Sequence, residues 1–176
     1  MHYFSGFSLQ NEQELFDFWL KKCSKYCIAG FSYGAIKAVE EVYNLNKRVD
    51  RLVLLSPAYF NDKTKAFIKT QLLYFKKDSK NYINNFLKNI SEGSKIDLSR
   101  YLKVGSLSEL EELLTYKWDI NKLKKISQNG VKIEVILAEN DKIINSKEAL
   151  QFFEKVAIVY YVKGANHILK EIEDGN

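Results

Sequence analysis

YCIAGFSYGA, residues 26–35, joins a short apolar run to a turn bounded by glycines. A helical pattern follows the turn at once and extends to Tyr43. This order predicts a buried strand, a sharp G-x-S-x-G turn and a helix, with Ser32 at the centre of the turn. The two flanking chains of such a turn pass so close together that Gly30 and Gly34 are required, because glycine has no Cβ.

Ser32 is a candidate nucleophile because this turn would present its hydroxyl at the carboxyl edge of a sheet. The amide of Tyr33 would then be able to donate a hydrogen bond to a negatively charged oxygen. The five-residue pattern alone does not distinguish a catalytic serine from an ordinary turn, since glycine and serine are common in turns. The rest of the chain has to supply a base and an acid.

Strand and helix patterns alternate along the chain, which predicts an α/β fold with a mostly parallel central sheet. Strands are predicted at residues 2–4, 26–29, 51–56, 131–137 and 157–162. Helices of this core are predicted at residues 10–20, 35–43, 146–153 and 168–173. Ser146 is expected to cap its helix.

Residues 58–128 differ in character, since aromatic residues and leucines recur there at helical spacing between lysines and asparagines. We predict that they form a helical lid inserted into a core made of residues 1–57 and 129–176, within a single domain. The alternative is a set of extra helices packed on the sheet, for which the periodicity is the same.

Basic residues are concentrated at 63–103, where ten Lys or Arg face three Asp or Glu, an excess of seven. The net charge of the whole chain is only +5. Such a block indicates an acidic partner, although a solvated lysine-rich helix face is an equal alternative. The aromatic residues of this block fall at helical core spacing and no nucleic-acid motif is present, which argues against nucleic-acid binding.

The composition fits a folded protein of 176 residues, 46% of them hydrophobic. No apolar run approaches about 20 residues and no secretory signal is visible, so we expect a cytoplasmic protein without a membrane span. Cys23 and Cys27 match no metal or redox pattern, and we expect neither a disulfide nor a metal site.

Asp141 and His167 each follow a predicted strand directly. One helix and one strand separate them, which returns the chain to the same edge of a parallel sheet. Together with Ser32 they give a nucleophile, an acid and a base in the order found in α/β-hydrolases. Glu139 is a rival for the acid, and each of these residues could instead be an ordinary loop residue. The turn after the first strand would supply the Phe7 amide as a second oxyanion donor beside Tyr33.

The chain resembles the short BioV-type pimeloyl-[acyl-carrier-protein] methyl ester esterases, which are α/β-hydrolases of biotin synthesis. The resemblance runs over nearly the whole chain and is carried by residues 3–7 (YFSGF), 29–35 (AGFSYGA), Asp141 and 164–167 (GANH). It implies a reduced α/β-hydrolase fold and hydrolysis of the methyl ester with release of methanol. It also implies Ser32 as nucleophile, His167 as general base and then acid, and Asp141 as the orienting acid. No cofactor is required.

Two features depart from the wider hydrolase pattern. The chain begins at what would be the third strand, so we expect a short sheet that lacks the first two strands. Ser5 stands where a histidine is usual in the oxyanion turn.

The resemblance also implies acyl carrier protein as the acidic partner of the basic block, with the aromatic residues lining a slot for the acyl chain. The candidate docking residues are Lys69, Lys76, Lys77, Lys80, Lys88, Arg100 and Lys103. A general short-chain carboxylesterase or an acyl thioesterase is the alternative within enzymes. A non-catalytic hydrolase-fold binding protein is the alternative outside them.

Overall fold

A five-stranded sheet forms the centre of the molecule in the computed structural model, which describes residues 1–172. Its strands are β1 (His2–Phe4), β2 (Cys27–Phe31), β3 (Arg51–Leu55), β4 (Lys132–Ala138) and β5 (Ile158–Val162). They lie in chain order, and every neighbouring pair is parallel. The carboxyl ends of all five strands therefore lie at one edge, and the predicted α/β class with a short parallel sheet is confirmed.

The central strands are apolar because helices cover both faces of the sheet. Residues 52–55 of β3, for example, are fully buried. Glu134 is the exception on β4, and its carboxylate is held by the Arg51 guanidinium and by the Lys132 ammonium at 2.5 Å. Pairing of this kind is what allows a charged side chain to be buried within a sheet.

Helices lie on opposite faces of β2. Gly30 faces α2 (Tyr33–Asn44), whereas Phe31 points the other way and contacts the Phe16 ring at 4.8 Å. Phe16 ends a 3-10 turn, Glu12–Phe16, that continues into the short helix α1 (Asp17–Leu20). The predicted first helix is therefore present but begins with 3-10 geometry. Helix α7 (Ser146–Phe153) packs on β4 and β5.

Four helices and a 3-10 turn at Ser99–Tyr101 lie between β3 and β4. The helices are α3 (Lys65–Lys77), α4 (Ser79–Ile90), α5 (Leu107–Thr115) and α6 (Ile120–Gln128). Helix α3 packs against α4 and α5, whereas α6 packs against α2 beside the sheet. The inserted segment thus contains a group of three helices and one helix that covers the core.

The helix predicted at residues 168–173 is wrong for the residues that the structure describes, and residue 173 lies outside them. Residues 168–172 double back instead, with an isolated bridge between Ala165 and Glu171. The Ile172 amide donates to the Gly164 carbonyl, and Leu169 adopts a φ of 59°, which is incompatible with a helix. The cap of α7 also differs, since Asn145 caps the helix and the Ser146 hydroxyl donates to the Ala138 carbonyl.

The expectation that the cysteines stay unpaired is also contradicted. The structure joins Cys23 and Cys27 as a disulfide, with their Cα atoms 5.3 Å apart. The reason is local. A turn follows α1, in which the Cys27 amide donates a hydrogen bond to the Ser24 carbonyl, and this turn brings the two cysteine side chains together. Sequence spacing alone gave no sign of this turn.

Candidate active site

Ser32 lies on a strained turn between β2 and α2. Its φ of 52° and ψ of −111° are unusual for a residue other than glycine. Neighbouring chains impose this conformation, since the Ser32 amide donates to the Leu55 carbonyl at 2.9 Å and its own carbonyl accepts from Ala58 at 3.2 Å. The loop after β3 therefore holds the turn from one side.

Gly30 and Gly34 have no room for a side chain. A Cβ on Gly30 would lie 2.1 Å from the Gly34 carbonyl oxygen, and one on Gly34 would lie 2.0 Å from the Phe4 carbonyl oxygen. Both contacts are with backbone, so the clash could not be relieved by a rotamer change. The second contact also shows that the end of β1 packs directly on the Ser32 turn.

A chain of hydrogen bonds joins the side chains of Ser32, His167 and Asp141. We call these three residues the strand-end site. His167 Nε2 lies 3.0 Å from Ser32 Oγ, and His167 Nδ1 lies 2.6 Å from Asp141 Oδ2. The side chains of His167 and Asp141 are fully buried. Because a carboxylate only accepts hydrogen bonds, it fixes the proton on Nδ1 and leaves Nε2 free to accept from the Ser32 hydroxyl.

Asp141, rather than the rival Glu139, contacts the histidine. The second oxygen of Asp141 accepts from the amides of Ile143 at 2.8 Å and Ile144 at 3.2 Å, which orients the carboxylate. Glu139 instead accepts from the Gly164 amide at 3.0 Å. It therefore braces the loop that carries His167 and does not contact the imidazole ring.

The His167 loop is tied to two other parts of the molecule. The Asn140 amide donates to the Ala165 carbonyl at 2.9 Å, which joins the loops after β4 and β5. On the other side, the Asn166 side chain donates to the Glu92 carbonyl at 3.1 Å, just beyond α4. The imidazole ring also contacts Phe31 at 5.2 Å. These contacts fix its position relative to both the sheet and the inserted helices.

Two backbone amides beside Ser32 are available as donors. Phe7 is buried and lines the same cavity as Ser32, and its amide donates to no other protein group within residues 1–172. Tyr33 begins α2, where a helix leaves its first amides without intrahelical acceptors. The close packing of the β1 turn on the Ser32 turn brings these two segments side by side.

Glu12 supports the β1 turn and was missed by the sequence analysis. Its fully buried carboxylate accepts from the Gly6 amide at 2.8 Å and from the Tyr3 hydroxyl at 3.0 Å. Burial, reinforced by the Glu12 charge, raises the pKa of Tyr3 well above its ordinary value. An acidic residue at the start of a predicted helix normally faces solvent, so its sequence position gave no signal.

A cavity of about 600 Å³ lies between Ser32 and helices α3–α5. Its apolar lining comprises Phe7, Phe60, Phe67, Phe86, Leu110, Leu113, Leu114 and Ile143. Its polar lining includes Gln71, Lys77, Asn81, Asn85, Asn89 and Lys142. Such a mixed lining suits an extended ligand with both apolar and polar parts.

The seven candidate docking residues are all exposed, but their surroundings differ. Lys69, Lys76 and Lys77 lie on α3, and Lys80 and Lys88 lie on α4. Of these, Lys77 lines the cavity at Ser32. Of the two further candidates, Arg100 lies in the 3-10 turn Ser99–Tyr101 and Lys103 lies in the loop that follows it.

Lys103 lines a smaller cavity of about 190 Å³ behind the β1 turn. Arg100 is already engaged, since it pairs with Glu14 at 2.8 Å and lies over the Tyr101 ring. A docking role for Arg100 would therefore require it to exchange an existing partner.

Residues 1–172 contain no cluster of three or more His, Cys, Asp or Glu side chains that could hold a metal ion. In the same part of the chain, no helix has the length and apolar character needed to span a bilayer.

The sequence matches no protein-family model, and no curated protein sequence matches it significantly. Solved structures do match. Carboxylesterase CesB from Bacillus subtilis superposes with a TM-score of 0.57 at 18% identity over 84% of this chain. BioG from Haemophilus influenzae superposes with a TM-score of 0.60 at 17% sequence identity over 94% of this chain. MenH from S. aureus superposes with a TM-score of 0.62 at 12% sequence identity over 96% of this chain.

The chain spans 55% of CesB but 87% of both BioG and MenH. At these identities the comparisons show a common fold. This is the α/β-hydrolase fold, and the predicted α/β class with a mostly parallel central sheet is confirmed.

Proposed function

We propose that this protein is a cytoplasmic serine carboxylesterase that hydrolyses the methyl ester of pimeloyl-[acyl-carrier protein] to the free acid and methanol in biotin synthesis. The observation that carries the proposal is the strand-end site, with Ser32 Oγ 3.0 Å from His167 Nε2 at the wall of a large cavity. The α/β-hydrolase fold supports the hydrolase class, and the resemblance to BioV-type esterases supports the substrate.

The first half of the reaction forms an acyl-enzyme. Ser32 Oγ attacks the ester carbonyl while its proton passes to His167 Nε2, and Asp141 stabilises the resulting imidazolium. The amides of Phe7 and Tyr33 donate to the oxygen that becomes negative, a contribution of about 3 kcal/mol for one donor. The intermediate then collapses, the carbon–methoxy bond breaks, and His167 returns the proton to release methanol.

The second half of the reaction restores the enzyme. Water takes the place of methanol beside His167, which removes one proton as the water oxygen attacks the acyl carbonyl. A second tetrahedral intermediate collapses, Ser32 recovers its proton from His167, and the carboxylic acid leaves. No metal or cofactor takes part in this sequence of bond changes.

Acyl carrier protein would approach the basic helices α3 and α4 in this proposal. Exposed Leu73 and Tyr74 lie among the lysines of α3, which gives this face both apolar and cationic character. Reversing Lys69 and Lys76 to glutamate should raise the apparent KM for the carrier-bound ester several-fold, because electrostatic steering is lost and neither residue lines the cavity at Ser32. Steady-state kinetics with a small p-nitrophenyl ester is the control, and an equal loss on both substrates would argue against docking there.

The experiment that tests the proposal compares wild type with Ser32→Ala on pimeloyl-[acyl-carrier protein] methyl ester. Intact-protein mass spectrometry of the carrier should show the loss of one methylene mass with wild type alone. Ser32-dependent cleavage of p-nitrophenyl butyrate without that mass change would favour a general carboxylesterase. Release of the carrier thiol would favour a thioesterase, and inactivity on every ester would favour a binding protein.

A further inference from the structure

Helix α4 presents a row of carboxamides to the cavity at Ser32. Asn81, Asn85 and Asn89, which we call the asparagine row, recur every four residues and all line this cavity. Residues four apart lie on one helix face, so the row extends for about 12 Å along the helix. Ile83, Leu87 and Ile90 of the same helix are buried in the core and fix its orientation.

The side chains of the asparagine row have no hydrogen-bond partner within residues 1–172. In residues 1–172, none of the three side-chain amides takes part in a hydrogen bond, and the Asp78 side chain accepts from the Asn81 backbone amide at 3.0 Å. A side-chain amide carries two donors and one acceptor oxygen. Three of them in a row therefore suit a ligand that offers both acceptors and donors along its length.

Neighbouring residues extend this polar strip. The Gln71 carbonyl oxygen accepts from the Tyr82 hydroxyl at 2.9 Å, which leaves the Gln71 NH₂ group as a further donor in the cavity. Phe86 follows Asn85 and contacts the Phe7 ring at 5.6 Å, so this part of α4 lies beside the β1 turn.

We propose that the asparagine row binds secondary amides in the part of the substrate beyond the acyl chain, and so selects esters carried on an amide-containing arm. Secondary amides fit because each offers one N–H and one C=O, and an alkyl chain of equal length offers neither. The proposal rests on the proposed function, since the thiol arm of a carrier protein would enter this cavity. It adds a specificity determinant that is separate from the charged surface.

A matched pair of substrates and a matched pair of variants test the row. The substrates are the methyl pimeloyl thioesters of N-acetylcysteamine and of 1-pentanethiol, which have the same chain length but differ by one amide. The variants are Asn85→Ala and Asn84→Ala, because Asn84 is an exposed asparagine on the same helix that does not line the cavity. Methanol and thiol release are measured separately.

Asn85→Ala should lower kcat/KM for the N-acetylcysteamine ester by about five- to tenfold, which corresponds to the loss of one or two hydrogen bonds. The pentanethiol ester should be hydrolysed as by wild type, and Asn84→Ala should alter neither rate. Equal losses on both esters, or equal effects of the two variants, would overturn the inference. Ser32-dependent methanol release would still stand in that case.

Calorimetric binding to the Ser32→Ala protein separates the inference from the proposed function. If wild type releases no methanol from pimeloyl-[acyl-carrier protein] methyl ester or from either thioester, the proposed function fails. Tighter binding of the N-acetylcysteamine ester that depends on Asn85 would then still support the row. Equal binding of both esters would overturn it.

Discussion

The strand-end site and the inserted helices α3–α5 form two sides of one cavity, but they are built differently. Ser32, Asp141 and His167 follow three parallel strands, their side chains are buried, and hydrogen bonds hold each of them in place. The helical side presents exposed amides and lysines that have few partners within the described residues. One side is thus suited to chemistry that needs fixed geometry, and the other to contacts with the parts of a ligand that do not react.

This contrast separates two kinds of substitution. Changes at the strand-end site should affect every ester, because they act on bond making and breaking. Changes on the helical side should discriminate between esters, because they act on parts of the substrate that do not react.

Asp141→Asn should cause the largest loss. The amide cannot hold the imidazolium or the correct tautomer, so kcat should fall by about 10³- to 10⁴-fold on small and large esters alike. Glu139→Gln is the matched control, since Glu139 contacts the Gly164 amide and not His167. Stopped assays with p-nitrophenyl acetate and butyrate measure both variants, and similar effects of the two would contradict the assignment of Asp141.

Glu12→Leu should weaken the β1 turn. The buried Gly6 amide loses its acceptor, which should lower the free energy of unfolding by about 1–3 kcal/mol. Displacement of the Phe7 amide should also lower kcat by about tenfold with little change in KM. Glu12→Gln keeps the acceptor oxygen and should recover most of kcat. Urea denaturation and steady-state kinetics measure the two effects, and full kcat in the leucine variant would contradict this role for Glu12.

Phe67→Ala should show the selective behaviour of the helical side. The ring lines the cavity, so its loss removes apolar contact from long acyl chains at about 0.8 kcal/mol for each methylene exposed. We expect kcat/KM for p-nitrophenyl octanoate to fall about five- to tenfold while the acetate is hydrolysed normally. A uniform loss across chain lengths would place Phe67 outside the acyl slot.

Substitution of Glu134 should change how stability depends on pH and leave the chemistry at Ser32 unchanged. Burial raises the pKa of its carboxyl, but hydrogen bonds from Arg51 and Lys132 outweigh burial and lower it below the ordinary value of 4.5. The stabilisation is therefore present above pH 4.5 and is lost as the pH falls through the lower, folded-state pKa. Urea midpoints between pH 7 and pH 2 should fall less steeply for Glu134→Gln than for wild type.

Sequence reasoning worked where one local pattern determines the geometry. The Ser32 turn needs glycine on both sides, so the turn could be deduced from the spacing of Gly30 and Gly34. Parallel strands bring Asp141 and His167 to the same edge of the sheet, so their placement could be deduced from the order of the strands. It failed at residues 168–172, where hydrogen bonds to the His167 loop override helical spacing.

Tertiary contacts also hid Glu12, because its burial depends on how the first helix packs on the β1 turn. The asparagine row was visible only as polar residues between core positions of a helix. Its role depends on the relative position of α4 and Ser32, which no local pattern specifies.

Covalent labelling by a fluorophosphonate tests the central claim most directly, because it reports whether the strand-end site makes Ser32 nucleophilic. Ser56 is the matched control, as it is also a buried serine with positive φ at the end of a neighbouring strand. Intact mass should show one label on wild type and on Ser56→Ala, and none on Ser32→Ala. Labelling of folded Ser32→Ala, or an unlabelled wild type, would contradict the account.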